Sequence, residues 1–463
     1  MPRQTNYQQR AGATFRTLIN DLKRNDEAAA RELQVDASVI RALIAGEQPI
    51  SLELIKKAVE IWPVNERDFF PIHDDTSNDV LIMRRSQSEA SSRVFHRGGS
   101  AYYEYRDTAV SQVSMLRPEW IKMLHVVTDN DPENPSIQWN NGHFLYQFTY
   151  FVGEVNYYYE WKGRKFCVPM VTGDSVFGLP FARHSFASRN TDSRSLILAL
   201  TYGGRLMGDG QHELGVLGEE VACKYVLPME DPNEAQAALL RLHMMNGGYS
   251  TDYLSAASGV GKDRLDRALK GQPLRAEELQ SLADALRVPV RELIAGISDT
   301  TNGVIIVRRD DAPNWFLPTA ESPCYRVRQL AVSRVTPYTK SLELDIYPHA
   351  ETNWQCLVTG LHEYGYNHGE SPIVLGWTCD GREYRDVIEP DDSFYIKPHV
   401  THWFEPSNYS TSATLPRILL LRVGGKVVGD AALEVSIIGR ESLRRVVAET
   451  TCWYKAEKSQ AAT

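Results

Sequence analysis

Two phrases in the first half of this chain place metal-ligating side chains at a spacing that suits oxidative chemistry. NNGHFLYQ sets His143 directly behind an Asn-Asn-Gly turn and four residues before Gln147, and GDSVFGLPFARHS runs from Gly173 and Asp174 through Pro180 to His184. A facial set of two imidazoles and one oxygen donor leaves three cis positions open on Fe(II), enough for dioxygen and a chelating substrate. A lone histidine in a β-rich stretch is usually a satisfied core residue, but a pair carried in two such phrases points to a ligand set. Positions four apart on a straight strand are separated by about 13 Å. The chain must therefore bend between His143 and Gln147, and His184 must arrive from a neighbouring antiparallel strand.

The elements that would position these residues are short runs of Val, Ile, Tyr, Phe and Leu broken by Gly, Asp, Asn and Pro. They fill 94–226 and again 304–438, and such runs read as antiparallel barrels or jelly rolls. The paired phrases resemble the two cupin motifs, with Asn141 at the first histidine position, His143 at the second, Gln147 at the glutamate position, Gly153 closing the first phrase and His184 as the third histidine. In the second stretch YPHAETNWQCLVTG and DDSFYIKPHVTHWFEP offer His349, Glu351, Gln355 and His402. His349, Glu351 and His402 form a candidate site of their own, so spacing alone leaves open which barrel holds a metal.

A helical stretch precedes each β-rich one. DEAAARELQVDASVIRALIAGEQPISLELIKKAVEIWPV, within 14–70, spells three short amphipathic helices; STDYLSAASGVGKDRLDRALKGQPLRAEELQSLADALRVPVRELI, within 234–296, repeats them with GQPLRA where the first has GEQPIS. Self-similarity at this length implies duplication of a two-domain unit. The expected fold is α+β: an all-α helix-turn-helix-like domain and a cupin (jelly-roll) β-barrel, occurring twice, with boundaries at 1–80, 81–230, 231–300 and 301–463. With 463 residues, 43% of them hydrophobic, the chain has material for several cores.

Blocks like these resemble Cro-type repressors, whose second helix reads the major groove. The corresponding segments are poor base readers: DASVIRALIAG carries only Arg41, and in GKDRLDRALKG two aspartates interleave with Lys262, Arg264, Arg267 and Lys270. A net charge of −9 also counts against phosphate-backbone binding as the main task. Nucleic acid is not an expected partner, although a regulator that binds a small ligand in the barrel and DNA through its helices is the alternative of a different class. No apolar run nears the roughly 20 residues of a membrane span, and MPRQTNYQQR lacks the apolar region of a signal peptide, so no membrane partner and a cytoplasmic location are expected. Six dispersed cysteines without a CxxC pair indicate neither a zinc knuckle nor a disulfide framework.

The NNGH phrase, the GDS phrase ending in HS, and HRGGSAYYEYRD ahead of them, on a tandem helical-plus-barrel unit, resemble the family of 2-hydroxyethylphosphonate dioxygenase and methylphosphonate synthase. The resemblance implies a non-haem iron oxygenase that uses Fe(II) and O2 to cleave the C–C bond of a phosphonate, with the iron in the first barrel and no second cofactor. It assigns His143, Gln147 and His184 as iron ligands. Arg97, Tyr105 and Asn140 fall where the family grips the phosphonate, Thr201 near a hydroxyl position in that pocket, and Lys23 or Arg24 as the basic residue brought from the first helical block. The dioxygenase ligates iron through a glutamate six residues before the final histidine, where this chain has Gly178, and it carries a tyrosine where this chain has Val176. A glutamine four residues after the first histidine matches the synthase branch, which yields methylphosphonate and CO2 or bicarbonate. The other branch, yielding hydroxymethylphosphonate and formate, is the alternative within the family, and a non-oxidative cupin such as a sugar isomerase is the alternative outside it. Such barrels commonly pair, so a homo-oligomer is expected.

Overall fold

A computed structural model describes residues 7–114, 116–191, 195–348, 355–407, 414–448 and 451–453. The chain forms two compact units, one of Met1–Leu81, Ser111–Met115 and Gly424–Thr463, the other of Ile82–Val110 and Leu116–Val423.

The first unit is helical. Helices Tyr7–Asp21, Asp26–Leu33, Ala37–Ala45 and Leu52–Ile61 enclose a core of Phe15, Ile19, Leu33, Ile40, Ile55 and Trp62. Asn25 and Ser51 cap two of these helices by accepting from the Ala28 and Leu54 amides, which satisfies donors that the first turn leaves free. The expected three-helix phrase is thus present, preceded by a longer helix. Helix Asp430–Val447 belongs to this unit, so the β-rich stretch ends at Val423 rather than near 438.

The second unit holds helices Pro232–Gly247, Thr251–Ser258, Lys262–Ala268 and Ala276–Leu286 around Leu240, Leu254, Leu265, Leu282 and Leu286, and two equivalent sets of strands. The first set is β1 (Val80–Met83), β2 (Arg93–Arg97), β3 (Ser100–Asp107), β4 (Leu116–Met123), β5 (Tyr146–Val152), β6 (Val155–Trp161), β7 (Arg164–Met170), β8 (Ser175–Gly178), β9 (Arg183–Ser188) and β10 (Leu196–Tyr202). The second is β11 (Val304–Val307), β12 (Asn314–Pro318), β13 (Pro323–Gln329), β14 (Thr339–Ile346), β15 (His362–Asn367), β16 (Ile373–Cys379), β17 (Arg382–Ile388), β18 (Ser393–Ile396), β19 (His402–Pro406) and β20 (Arg417–Val423). The seven-stranded sheets run β11-β8-β5-β10-β4-β3-β2 and β1-β18-β15-β20-β14-β13-β12, and the three-stranded ones β7-β6-β9 and β17-β16-β19.

Each set therefore lends its first strand to the other. The exchange is fixed by a matched clamp: buried Asp174, ahead of β8, accepts from Arg308 Nη1 at 2.6 Å and the Arg309 amide at 3.1 Å, while buried Asp392, ahead of β18, accepts from Arg84 Nη1 at 3.0 Å and the Arg85 amide at 2.7 Å. The aspartate of the GDS phrase serves this clamp. Gly173 beside it has φ +93°, and a Cβ there would collide with the Arg309 stem. Glycine meets both demands. β5 has both faces covered and buries Phe148, Thr149, Tyr150 and Phe151 in succession instead of alternating.

Candidate metal centre and substrate site

The β5–β10–β4 register puts Gln147, Thr149 and Phe151 on the inward face, opposite Thr201, Ala199 and Ile197. Beyond them on β4 lie Arg117, Glu119 and Ile121. Phe151, Ile197, Ile121 and Tyr103 form the floor of the barrel core, leaving polar positions at one end.

His143 and Asn140 stand in the segment between β4 and β5, and this segment is tied down rather than loose. The Tyr102 hydroxyl accepts from the Gln138 amide, Ser185 Oγ donates to the Gln138 carbonyl, and the Phe181 amide donates to the His143 carbonyl at 2.8 Å. Gly142 has φ +72°, and a Cβ there would lie 2.5 Å from the Phe181 carbonyl oxygen. The glycine of NNGH is what lets His143 turn inward before the strand begins, the bend that the spacing requires.

The two imidazoles lie side by side. His143 Nδ1 lies 2.9 Å from the Leu145 carbonyl and His184 Nδ1 2.9 Å from the Ala182 carbonyl, which fixes each ring through that nitrogen, and the ring centroids are 5.2 Å apart. His143 Nε2 is 2.8 Å from Gln147 Oε1, close to the roughly 3 Å edge between cis ligands at ordinary metal–ligand distances. Gln147 Nε2 donates to Thr149 Oγ1 at 2.9 Å, which aims the amide oxygen at the site. Imidazoles locked through the distal nitrogen by carbonyls are the usual outer shell of a metal site. Burial, with His143 and Arg97 pushing the same way, lowers the His184 pKa to about 4, leaving the ring neutral as a ligand must be. Among the described residues no three His, Cys, Asp or Glu side chains come together to hold a metal ion, and the oxygen beside His143 Nε2 is the neutral amide oxygen of Gln147.

Asn140 adjoins this set: its Oδ1 accepts from the His184 and Gly142 amides at 2.8 and 3.0 Å, and its Nδ2 is 2.9 Å from His184 Nε2. Arg97 closes β2 with its guanidinium 5.0 Å from the Tyr103 ring centroid and Nη1 donating to the Gln138 carbonyl. Its field reaches both His184 and Tyr105. Tyr105 packs edge-on to Phe95 at 4.8 Å, and burial raises its phenol pKa while Arg97 opposes that shift. Thr201 sits directly across from Gln147, its hydroxyl donating to the Arg117 carbonyl. In the first unit Lys23 Nζ lies 3.5 Å over the Trp453 ring, and Arg24 Nε donates to Glu32 at 2.8 Å.

Two neighbours escaped the sequence reading. Thr149 orients Gln147, and Glu119 is a partly buried carboxyl on the inward face of β4 whose pKa is raised by burial against the pull of Arg93 and His143. The alternation in LRPEWIKM, with Glu119, Ile121 and Met123 on one face, is the signal that could have found it.

The second set of strands requires a correction. Its register aligns Glu363 with Gln147, Arg422 with Thr201 and His402 with His184. Gln355 is instead half-buried, its amide donating to the Cys356 carbonyl. His349 and Glu351 lie outside the described residues. Fully buried His402 and Glu363 meet at 2.8 Å, and Arg422 Nε pairs with the same carboxylate. A guanidinium therefore neutralises the carboxylate that stands at the ligand position. Glu363 was missed because LHEYGYN has none of the spacing expected of the first cupin phrase.

No protein-family model matches the chain. It is 41% identical over 457 residues, 98% of this chain and 97% of the relative, to methylphosphonate synthase of Nitrosopumilus maritimus strain SCM1. It superposes with a TM-score of 0.90 and 41% identity, over 97% of this chain and 99% of the other, on Streptomyces albus HEPD solved with its substrate 2-hydroxyethylphosphonate and Fe(II) bound. A variant of hydroxyethylphosphonate dioxygenase at 17% identity shares the fold, with a TM-score of 0.72 over 94% and 99% of the two chains.

Proposed function

Because this chain belongs to the family of methylphosphonate synthase and 2-hydroxyethylphosphonate dioxygenase, we propose that it is an Fe(II)- and O2-dependent methylphosphonate synthase whose metal is held by His143, Gln147 and His184. One observation supports this reading: His143 and His184, each held through Nδ1, lie with ring centroids 5.2 Å apart, and the amide oxygen of Gln147, held through its Nε2, is 2.8 Å from His143 Nε2. The overall change is balanced without a second reductant, since 2-hydroxyethylphosphonate and O2 contain the atoms of methylphosphonate, CO2 and water, and the substrate supplies all four electrons. Bound Fe(II) would supply dioxygen binding and the electron transfers of C–C cleavage.

The chain's own residues then have binding work to do. Arg97 offers a planar fork to two phosphonate oxygens, and the Asn140 amide, which faces His184 Nε2, is free to turn to a phosphonate oxygen once that nitrogen is engaged. Tyr105 and Thr201 supply hydroxyls to the same substrate. Identity to the synthase and to the dioxygenase is equal, at 41%, so identity does not choose between the branches and the product formed does. A neutral Gln147 would leave bound iron one charge more positive than a carboxylate would, a charge that would favour keeping formate in the site. We extend the reading to architecture: 1–80 and 231–300 as helix-turn-helix-like domains, 81–230 and 301–463 as cupin barrels, a duplicated unit whose second barrel has an arginine, Arg422, in place of the catalytic metal. The six free cysteines fit a reducing cytoplasm.

Phosphorus NMR after anaerobic loading with Fe(II), addition of 2-hydroxyethylphosphonate and exposure to air tests this. Methylphosphonate is the expected product; hydroxymethylphosphonate would assign the dioxygenase branch, and unchanged substrate with iron bound would refute both. Gln147→Glu is expected to keep iron and shift product toward hydroxymethylphosphonate. The same product from both proteins would remove the charge argument.

A further inference from the structure

The outer face of the second seven-stranded sheet carries more arginine than its carboxylates can use. Arg326, Asp345 and Arg417 are direct cross-strand neighbours on β13, β14 and β20, with Asn314, Arg328 and Glu343 in the adjacent row. Together with Arg309 and Asp310 they line a cavity of about 250 Å³, room for roughly eight waters or a small polyatomic anion.

The existing pairs are spoken for. Arg328 binds Glu343, whose other oxygen takes the Tyr150 hydroxyl at 2.5 Å, and Arg417 Nε donates to Asp345 at 2.8 Å. Among the described residues Arg326 has only a 3.3 Å hydrogen bond to Asn314 and the Phe316 ring. Arg309 Nε is buried without a hydrogen bond, 3.5 Å from Glu343. Four guanidinium groups thus face three carboxylates, and His368 adds no charge above about pH 4, where burial holds it neutral.

The fold does not demand this. The register aligns Arg326, Arg328, Glu343, Asp345 and Arg417 with Glu104, Arg106, Trp120, Lys122 and Leu196 of the first sheet. At those five positions only Arg106 is a guanidinium, stacked 4.2 Å from Trp120 and paired with Glu104, and Arg85, the counterpart of Arg309, is paired with Glu89. We propose that the cavity between Arg309, Arg326, Arg328 and Arg417 is a binding site for a tetrahedral oxyanion of the phosphate or phosphonate type, separate from the His143–Gln147–His184 centre. Planar guanidinium forks match such an anion two oxygens at a time, and Asn314, one amide away, completes the donor set.

Calorimetric titration of orthophosphate and of methylphosphonate into metal-free protein, in an Arg97→Ala background that weakens the other phosphonate site, reads this directly. Saturable binding of at least one anion is expected, weakened about ten-fold or more by Arg326→Gln and by rising salt. Phosphate alone would make the ligand inorganic phosphate, and methylphosphonate alone would make it a phosphonate. Absence of saturable binding up to about 10 mM of either, or binding that Arg326→Gln and Arg309→Gln leave unchanged in proteins with unaltered thermal melts, overturns the proposal. Should Arg326→Gln fail to fold, Asn314→Ala, at the rim, provides the same reading.

Discussion

At the residue scale, the site depends on side chains that touch no substrate. Gln147 can present its oxygen only because Thr149 takes its amide hydrogen; a free amide would turn as readily with its nitrogen inward, and nitrogen would repel a metal. Thr149→Val is therefore expected to weaken Fe(II) affinity by about 10- to 100-fold while leaving the thermal midpoint nearly unchanged. Anaerobic titration against a coloured chelator measures this, and an unchanged affinity would dismiss Thr149 as the orienting group. Asn140 is the complementary case, since its Oδ1 pins the His184 backbone while its Nδ2 faces the ring. Asn140→Ala should therefore lower both iron occupancy and substrate affinity, whereas Asn140→Asp, which keeps the acceptor, should spare iron and lose substrate.

At the element scale, the two phrases that carry the ligands are held by contacts remote in sequence. Gly142 can be left-handed and lie against Phe181 because it has no Cβ. Gly142→Ala is expected to push the His143 segment out of place and abolish iron binding at a temperature where circular dichroism still reports folded sheet. Retained iron would show that the turn relaxes cheaply. The strand exchange makes a second expectation. Asp174→Ala takes the carboxylate from Arg308 Nη1, which keeps the Pro169 carbonyl, and from the Arg309 and Val171 amides; with Arg308 partly exposed, the cost should be about 2 kcal/mol. A urea midpoint within error of the parent would mean that β11 is held by its ladder to β8 alone.

Over the whole molecule, acid is the natural probe. His362 and His368 are drawn down to about 4 by burial, against an ordinary value near 6.5. Between these values the unfolded chain binds protons that the folded chain does not, so stability is complete above about pH 6.5 and falls as the pH drops toward 4. Glu363 adds a lower window: burial would raise its pKa, but His402 and Arg422 override this and hold it at about 2, so its contribution fades as the pH falls from the ordinary carboxylate range toward 2. Denaturant midpoints measured from pH 7.5 to 4 at fixed ionic strength should hold down to about pH 6.5 and decline below it, and a flat profile would contradict the buried neutral histidines. The basic residues of the second helical block are already engaged, Lys262 with Asp252 at 2.5 Å and Arg264 with Glu278 at 2.8 Å. No retention on heparin at low salt is expected; strong retention would restore the regulator. Among the described residues no helix is long and apolar enough to cross a membrane.

Local information is legible in the chain itself. Helix phrases, their caps and the His143, Gln147 and His184 spacing are written over a few residues each, and propensity and periodicity act at that range. Repetition of the whole pattern is visible for the same reason. What the tertiary structure alone decided involves partners far apart in sequence. LHEYGYN reads as one more buried strand until β15 pairs with β20 and sets Glu363 against Arg422 and His402, which displaced Gln355 from the alignment. Exchange of β1 and β11, the Asp174 clamp on Arg308, and the arginines left over around one cavity likewise arise from pairings between strands that nothing local specifies. Alternation along a strand tells which residues share a face, and only the closed sheets tell what that face meets.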